Sequence, residues 1–250
     1  MNPNKTNLVS VIVPIFNAIN FIDQAIQSIL EQTYQNFEII LIDDFSRDGS
    51  ADHITKKYGK NNKVKIILNK ENLGAAKTRN IGINNATGSY LAFLDADDFW
   101  DKSKLELQLK FMAETKSPMT FTSYRILFKS NRTKVIKVPY KLNLKKYFLT
   151  TIIGNLTVMV DRTKIPNFYF PIGHLEDTLA WISILKEFKE INGLNKSLAT
   201  YRIVENSISS NKFRNSIRYF KILNKQKNLN FFQKVYYLII SRINALIKRL

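Results

Sequence analysis

Cysteine is missing from this chain of 250 residues. Its absence excludes disulfide frameworks, thiolate zinc sites, cysteine nucleophiles and cysteine-ligated iron–sulfur clusters. Histidine is nearly missing as well. His53 and His174 are too few for a His-rich metal site, so a metal would need carboxylates, which points to Mg2+ or Mn2+. The eight glycines never fall two apart. No G-x-G-x-x-G can therefore follow the first strand, and no G-x-x-x-x-G-K-[ST] occurs anywhere, which argues against NAD-type and P-loop phosphate cradles. Long apolar stretches are lacking near the C-terminus. The longest there, Val235–Ile240, is six residues, against about 20 for a membrane span. Met1–Leu8 is polar and Val9–Phe16 soon meets polar residues, so no signal peptide is expected. Acidic side chains are absent from residues 211–250, which carry ten Lys and Arg.

What is present begins with charge. The formal net charge is +18, with 38 Lys and Arg against 20 Asp and Glu. Residues 1–100 hold 10 basic and 11 acidic side chains, so the excess lies in the second part. A block such as 211–250 seeks a polyanion, either nucleic acid or an anionic lipid surface, unless it is merely a solvated face. Leu229, Phe232, Tyr236, Ile239, Ile243, Ile247 and Leu250 recur at helical spacing, and Lys234, Arg242, Lys248 and Arg249 supply cations. That pattern predicts a basic amphipathic helix lying on an anionic membrane surface. The expected location is cytoplasmic, peripheral on the inner face of the membrane. The competing reading packs the stripe against its own domain.

Apolar residues make up 45% of the chain, enough for a core of one large domain. The first 95 residues alternate. Strands are predicted at Val9–Ile15, Glu38–Ile42, Lys63–Leu68 (nearer an edge) and Tyr90–Leu94. Helices are predicted at Phe21–Leu30, Asp48–Tyr58 and Ala75–Asn85, where Gly82 permits close packing. Such alternation predicts a doubly wound, mostly parallel α/β sheet with ligands at the carboxyl ends of its strands. Further on, helices are predicted at Lys102–Glu114, Leu144–Thr151 and Thr178–Phe188, and strands at Met119–Phe128, Leu156–Val160 and Leu198–Arg202.

Chemistry gathers at those carboxyl ends. Pro14-Ile15-Phe16-Asn17 follows the first strand, Asp43-Asp44 the second and Asp95-Ala96-Asp97-Asp98 the fourth. Five carboxylates at one sheet mouth repel each other unless a cation intervenes. A divalent cation held by few carboxylates takes substrate phosphates as its other ligands. The mouth is therefore expected to hold a metal and a nucleotide diphosphate.

Four stretches, in order, resemble the family 2 glycosyltransferases of the GT-A fold: VSVIVPIFN (9–17), SILEQTYQNFEIILIDDFSRDGS (28–50), NLGAAKTRNIGINNATGSYLAFLDADDFW (72–100) and HLEDTLAW (174–181). YRIVENSISSNK (201–212) is similar to the bacterial surface-polysaccharide members. The resemblance implies a GT-A domain over 1–212, with a nucleotide-binding half (1–100) and an acceptor half (101–212), followed by a basic helical tail (213–250). It implies an inverting enzyme that moves a sugar from a nucleotide-sugar, typically a UDP-sugar, to a hydroxyl of a lipid-linked or polysaccharide acceptor. Such enzymes build lipopolysaccharide, capsule or teichuronic-type polymers.

The resemblance also implies roles. Pro14, Phe16 and Asn17 line the nucleotide pocket. Asp44 hydrogen-bonds the base and Asp43 supports it, although Phe45 stands where the family usually has Gly. Asn72 opens the next motif, and Arg79 faces the nucleotide or braces the acidic loop. Asp95-Ala96-Asp97 matches the D-x-D motif. Asp97 binds Mn2+ or Mg2+, Asp95 reaches the ribose or the metal, and Asp98 is a further candidate ligand. Glu176-Asp177 matches the E-D pair, with Asp177 as general base.

Plainer readings stand beside these. Asp95, Asp97 and Asp98, or Glu176 and Asp177, could be caps and first-turn acids of the helices that follow. Asp43-Asp44 could be an ordinary turn. Trp100 and Trp181 are expected in the core rather than under a sugar. Tyr201, Arg202, Ser207 and Ser209 would either close over the diphosphate or end the core. Two other functions compete. A nucleic-acid-binding protein would suit the charge, but acids crowd the sheet mouth, so nucleic acid is not the expected partner. A nucleotidyltransferase would prefer a Gly-rich basic loop after the first strand, and Pro14–Asn17 is not one.

Overall fold

The computed structural model describes residues 7–204 and 212–248. Ser207, Ser209, Arg249 and Leu250 lie outside the described residues. One ten-stranded sheet organises the chain. Its first part is β1 (Val9–Ile15), β2 (Phe37–Asp43), β3 (Val64–Leu68) and β4 (Tyr90–Phe93), in the spatial order 3-2-1-4 and all parallel. β1 and β2 are apolar almost throughout because helices cover both faces of the sheet. β3 is the edge strand and is only half-buried.

The covering helices are α1 (Ile22–Leu30), α2 (Ser50–Tyr58) and α3 (Ala75–Asn85). Ile22, Ala25, Ile26 and Ile29 of α1 are all buried, at the spacing of one helical face. α3 lies against β1 and β2 through Gly82. A Cβ there would sit 2.5 Å from Ile12 Cγ2 and 2.9 Å from Ile42 Cδ1, so the absence of a side chain sets how near α3 comes. The chain runs outward from β1 to β3, then returns to β4 on the other side of β1. That reversal makes a crevice at the carboxyl ends of β1 and β4.

Beyond β4 the sheet is mixed. β5 (Phe99–Trp100), α4 (Lys104–Thr115), β6 (Met119–Leu127), β7 (Thr133–Ile136), β8 (Lys141–Asn143), α5 (Leu144–Thr150), β9 (Met159–Asp161), α6 (Glu176–Phe188) and β10 (Glu190–Arg202) follow in order. β9 runs antiparallel to β4 and β6, while β10 runs parallel to β6. The expected strand at Leu198–Arg202 is the end of this 13-residue strand. Asn192, Gly193, Asn195 and Lys196 hide its first part from propensity, and its register against β6 shifts twice. β5, β7 and β8 are too short to leave a periodic signal.

Two helices end the described chain, α7 (Lys212–Asn224) and α8 (Phe231–Ile247). Asn230 and Gln233 form a reciprocal capping box that starts α8. α8 docks through its less apolar side. Tyr237 and Ser241 are buried, Tyr237 lies 5.5 Å from the Phe148 ring, and Asn244 donates to Leu149 O at 3.0 Å. The stripe seen in the sequence points the other way: Phe232, Tyr236, Ile239, Ile243 and Ile247 are 46–82% exposed.

Candidate active site

A cavity of about 1250 Å³ opens at the carboxyl ends of β1 and β4. Pro14, Phe16 and Asn17 reach its wall from the end of β1. Asn17 joins the loops after β1 and β2. Its amide donates to Ser46 Oγ at 2.9 Å, and its Oδ1 accepts from the Arg47 amide at 2.9 Å. Phe45 adopts φ +65°, the left-handed region that Gly enters freely. Phe45, where the resemblance implies Gly, thus holds this conformation at some backbone strain.

The two acids after β2 differ. Asp43 Oδ2 accepts from the Ser46 amide at 2.9 Å, the turn expected of Asp, while its Oδ1 is buried with no hydrogen-bond partner among the described residues. Asp44 lines the cavity. Its Oδ1 accepts from the Leu73 amide at 2.8 Å and from Asn69 Nδ2 at 2.9 Å, and its Oδ2 accepts from the Gly74 amide at 2.9 Å. Asn72 donates to Asp44 O at 3.2 Å. Asp44 and Asn72 thus bind the β2 and β3 loops together. A carboxylate offers about four acceptor positions, so Asp44 keeps one, on Oδ2.

Arg79 is the hub. It is 5% exposed and sits 5.5 Å above the Phe170 ring, at the edge of an aromatic cluster of Phe93, Phe168, Phe170 and Trp181. Its Nη2 donates to Asp95 at 2.7 Å and its Nη1 to Glu176 at 2.9 Å. One guanidinium therefore ties the loop after β4 to the start of α6, which lies 97 residues from Arg79 along the chain. Burial alone would lower its pKa, but the Asp95 and Glu176 carboxylates outweigh that and raise it.

Asp97 and Asp98 stay unpaired with cationic side chains among the described residues. Burial, then the charge of Asp95, pushes the Asp97 carboxyl up to about 6. Asp98 is pushed well above the usual range by burial, then by Asp97 and Asp95. Its Oδ1 accepts from the Arg202 amide at 2.9 Å, and its Oδ2 is buried with no hydrogen-bond partner among the described residues. Neither acid caps α4, which begins after Ser103. Arg202 fixes this loop, donating through Nε to Asp97 O at 3.1 Å and lying over the rings of Phe21 and Phe99.

Glu176 and Asp177 open α6, whose N-cap is Leu175 at φ +57° with no side-chain cap bond. Neither acid is therefore a cap, although both gain from the helix dipole. Glu176 is held by Arg79. Asp177 Oδ1 accepts only from its neighbour's amide, Thr178 N, at 2.6 Å, among the described residues. Burial, then Glu176, pushes the Asp177 carboxyl up to about 6. Asn80 supports this approach from below, exchanging two hydrogen bonds with the backbone of Phe170 at 2.8 and 2.9 Å.

Among the described residues, no group of three or more His, Asp or Glu side chains could hold a metal unaided. Asp95 Oδ1 is committed to Arg79, whereas Asp97 and Asp98, which line the cavity beside it, pair with no cationic side chain among the described residues, and Asp98 Oδ2 is left without a hydrogen-bond partner there. That donor set fits a hard divalent cation that draws its remaining ligands from a substrate diphosphate. Trp100 and Trp181 are core residues. The first donates to Leu156 O at 2.8 Å, and the second stacks on Phe168. Sequence reasoning missed Asn69 and Asn80. Asn80 lies in the quoted stretch 72–100 and so carried a signal, whereas Asn69 lies outside it and carried none. Arg218 of α7 and Arg242 and Lys248 at and beyond α8 line the same cavity.

A profile of the family described as "Glycosyl transferase family 2" matches residues 10–162. Among curated proteins, the chain is 38% identical to a putative teichuronic acid biosynthesis glycosyltransferase, TuaG of Bacillus subtilis, over 99% of each chain. It is 35% identical to an Escherichia coli protein named UDP-Glc:alpha-D-GlcNAc-diphosphoundecaprenol beta-1,3-glucosyltransferase, WfgD, over 93% of this chain and 91% of that one. Among solved structures, S. aureus TarS in complex with UDP-GlcNAc superposes with a TM-score of 0.73 at 21% identity, covering 96% of this chain and 72% of that one. The mannosyltransferase PcManGT of Pyrobaculum calidifontis, in complex with GDP-Man and Mn2+, gives 0.70 at 17% identity, covering 96% and 70%. These two likenesses establish the fold.

Proposed function

This chain belongs to glycosyl transferase family 2, and we propose that it moves a sugar from a UDP-sugar to a hydroxyl of a lipid-linked saccharide during surface-polysaccharide assembly. One observation carries the reading: Arg79 holds Asp95 of the D-x-D loop and Glu176 of the E-D pair together. Donor and acceptor machinery, far apart in sequence, thereby share one cavity.

In this reading the uridine lies along Pro14, Phe16 and Asn17, with the free acceptor position of Asp44 Oδ2 turned to the base. Asp97, with Asp98 behind it, would hold Mn2+ or Mg2+. Such a cation, when bound, stabilises charge on the departing diphosphate as a Lewis acid. Asp95 and Glu176, fixed by Arg79, position the two sides. Asp177 is the general base. With its carboxyl near 6, it is ionised at neutral pH yet more basic than an ordinary Asp, which suits proton transfer. It takes the acceptor hydroxyl proton while that oxygen bonds to the anomeric carbon and the bond to the diphosphate breaks. Attack from the face opposite the leaving group inverts the centre, the outcome typical of the family.

The exposed apolar face of α8, beside a segment with ten cations and no acids, supports attachment to an anionic membrane surface. A screen of UDP-, GDP- and dTDP-sugars for donor hydrolysis with Mn2+ or Mg2+ tests the activity. Turnover of a UDP-sugar only with a divalent cation is expected. No turnover of any nucleotide-sugar would contradict the assignment.

A further inference from the structure

The cavity lining carries both signs of charge. Carboxylates crowd the sheet mouth, and α7, α8 and the residue after α8 add Arg218, Arg242 and Lys248. None of these three cations pairs with a carboxylate among the described residues, and residues 211–250 contain none. Lys248 Nζ donates to Thr150 O at 2.9 Å and Thr151 O at 3.2 Å, the open end of α5. An ammonium has three hydrogens, so one remains. Arg242 lies 5.4 Å over the Tyr219 ring, its Nε 3.5 Å from Ser241 Oγ. Arg218 Nη2 approaches His174 Nε2 at 3.3 Å, three residues before Asp177.

The proximity of Arg242 and Lys248 carries a penalty. Burial, then the charge of Arg242, lowers the Lys248 pKa to about 8, and burial lowers that of Arg242. Like charges brought together away from water favour an anion between them. Guanidinium forks and an ammonium match phosphate oxygens. The same lining continues into apolar surface. Leu246 lines the cavity and is also half-exposed, and Ile243 and Ile247 extend the exposed face of α8 outward from it.

We propose that Arg218, Arg242 and Lys248 form an anion subsite for the diphosphate of a prenyl-linked acceptor, whose chain leaves over Leu246 along the apolar face of α8. The inference rests on the assignment of the acidic sheet mouth to the sugar nucleotide and names what holds the acceptor. The subsite adjoins Asp177 through His174 and Arg218, so a sugar next to that diphosphate would present its hydroxyl near the base.

Calorimetry on the full chain, with UDP and Mn2+ present to fill the donor end, tests it with geranyl diphosphate, geraniol and inorganic pyrophosphate. Geranyl diphosphate is expected to bind most tightly, and less tightly as salt rises. Arg242→Gln and Arg218→Gln should each weaken it on the order of tenfold, the worth of one charged contact, while UDP affinity stays unchanged. Lys248→Arg should retain it. Arg218→Gln leaves the α5 carbonyl contacts intact, so it remains informative if changes nearer the core misfold. Equal affinity of wild type and both Gln variants would overturn the subsite. Equal affinity for geraniol would overturn the diphosphate, and equal affinity for pyrophosphate would overturn the prenyl chain. If UDP itself fails to bind wild type, the donor assignment falls, and the geranyl diphosphate titration without UDP still decides this one.

Discussion

Arg79 shows how much one residue can carry. It is buried, it satisfies two carboxylates from distant segments, and it lies on an aromatic face. Arg79→Ala would leave Asp95 and Glu176 facing each other uncompensated, and urea denaturation should show a loss of roughly 3–5 kcal/mol. Arg79→Lys should recover only part, because an ammonium cannot span both acids as the planar fork does. Asp177 makes a prediction of a different kind. Asp177→Asn should keep UDP affinity and lose about 10²–10⁴-fold in transfer; equal loss of both would mean a structural residue. In wild type, kcat/KM should climb as pH rises through about 6, where the carboxyl ionises, and then level. Stability should run oppositely. The folded state holds this proton more tightly than the unfolded chain, whose ordinary value is 3.8, so stability falls as pH rises from about 4 to about 6. The Tm of Asp177→Asn should therefore exceed that of wild type above pH 6 and converge with it below about 4. The acids themselves were legible in the sequence. Their division of labour was not: nothing in the letters Asp43-Asp44 says that the second carboxylate is mostly occupied by the Leu73 and Gly74 amides.

Among elements, α3 and α8 behave most differently. α3 is placed by what it lacks. Gly82→Ala puts a Cβ into Ile12 and Ile42, and overpacking of this sort should cost about 1–3 kcal/mol. Because α3 carries Arg79, the KM for the donor should rise as well; a variant with unchanged stability would mean that α3 has room to move. α8 was legible as an amphipathic helix, yet the stripe that announced it faces away from the core. Periodicity finds a helix and its faces but not which face the rest of the molecule covers. The double variant Ile239→Asp and Ile243→Asp should keep the wild-type Tm, since both positions are half-exposed, and lose sedimentation with anionic vesicles. Undiminished sedimentation would remove the membrane role from this face. The first seven elements could be placed because short apolar runs of strand length alternate with segments of helix length. β5, β7, β8 and the start of β10 could not, because partners across the sheet rather than local preference hold them extended.

At the scale of the whole molecule, the pattern that matters is separation of charge. Acids collect where the strand order reverses, and the basic excess collects in the second part of the chain and adds cations to the lining of the same cavity. The position of the acidic end was legible because strand ends in a doubly wound sheet must converge at the reversal. The basic part of that lining was not, because its contribution to the cavity depends on α7 and α8 folding back over α5. The central claim is that Asp97 and a sugar nucleotide's diphosphate together complete a cation site at the acidic end. Calorimetry of UDP binding with and without Mn2+, for wild type and Asp97→Asn, tests it most directly. Mn2+ should tighten UDP binding to wild type, and Asp97→Asn should abolish that gain while retaining weak, metal-independent binding. UDP affinity that is identical with and without the cation in wild type would contradict the account.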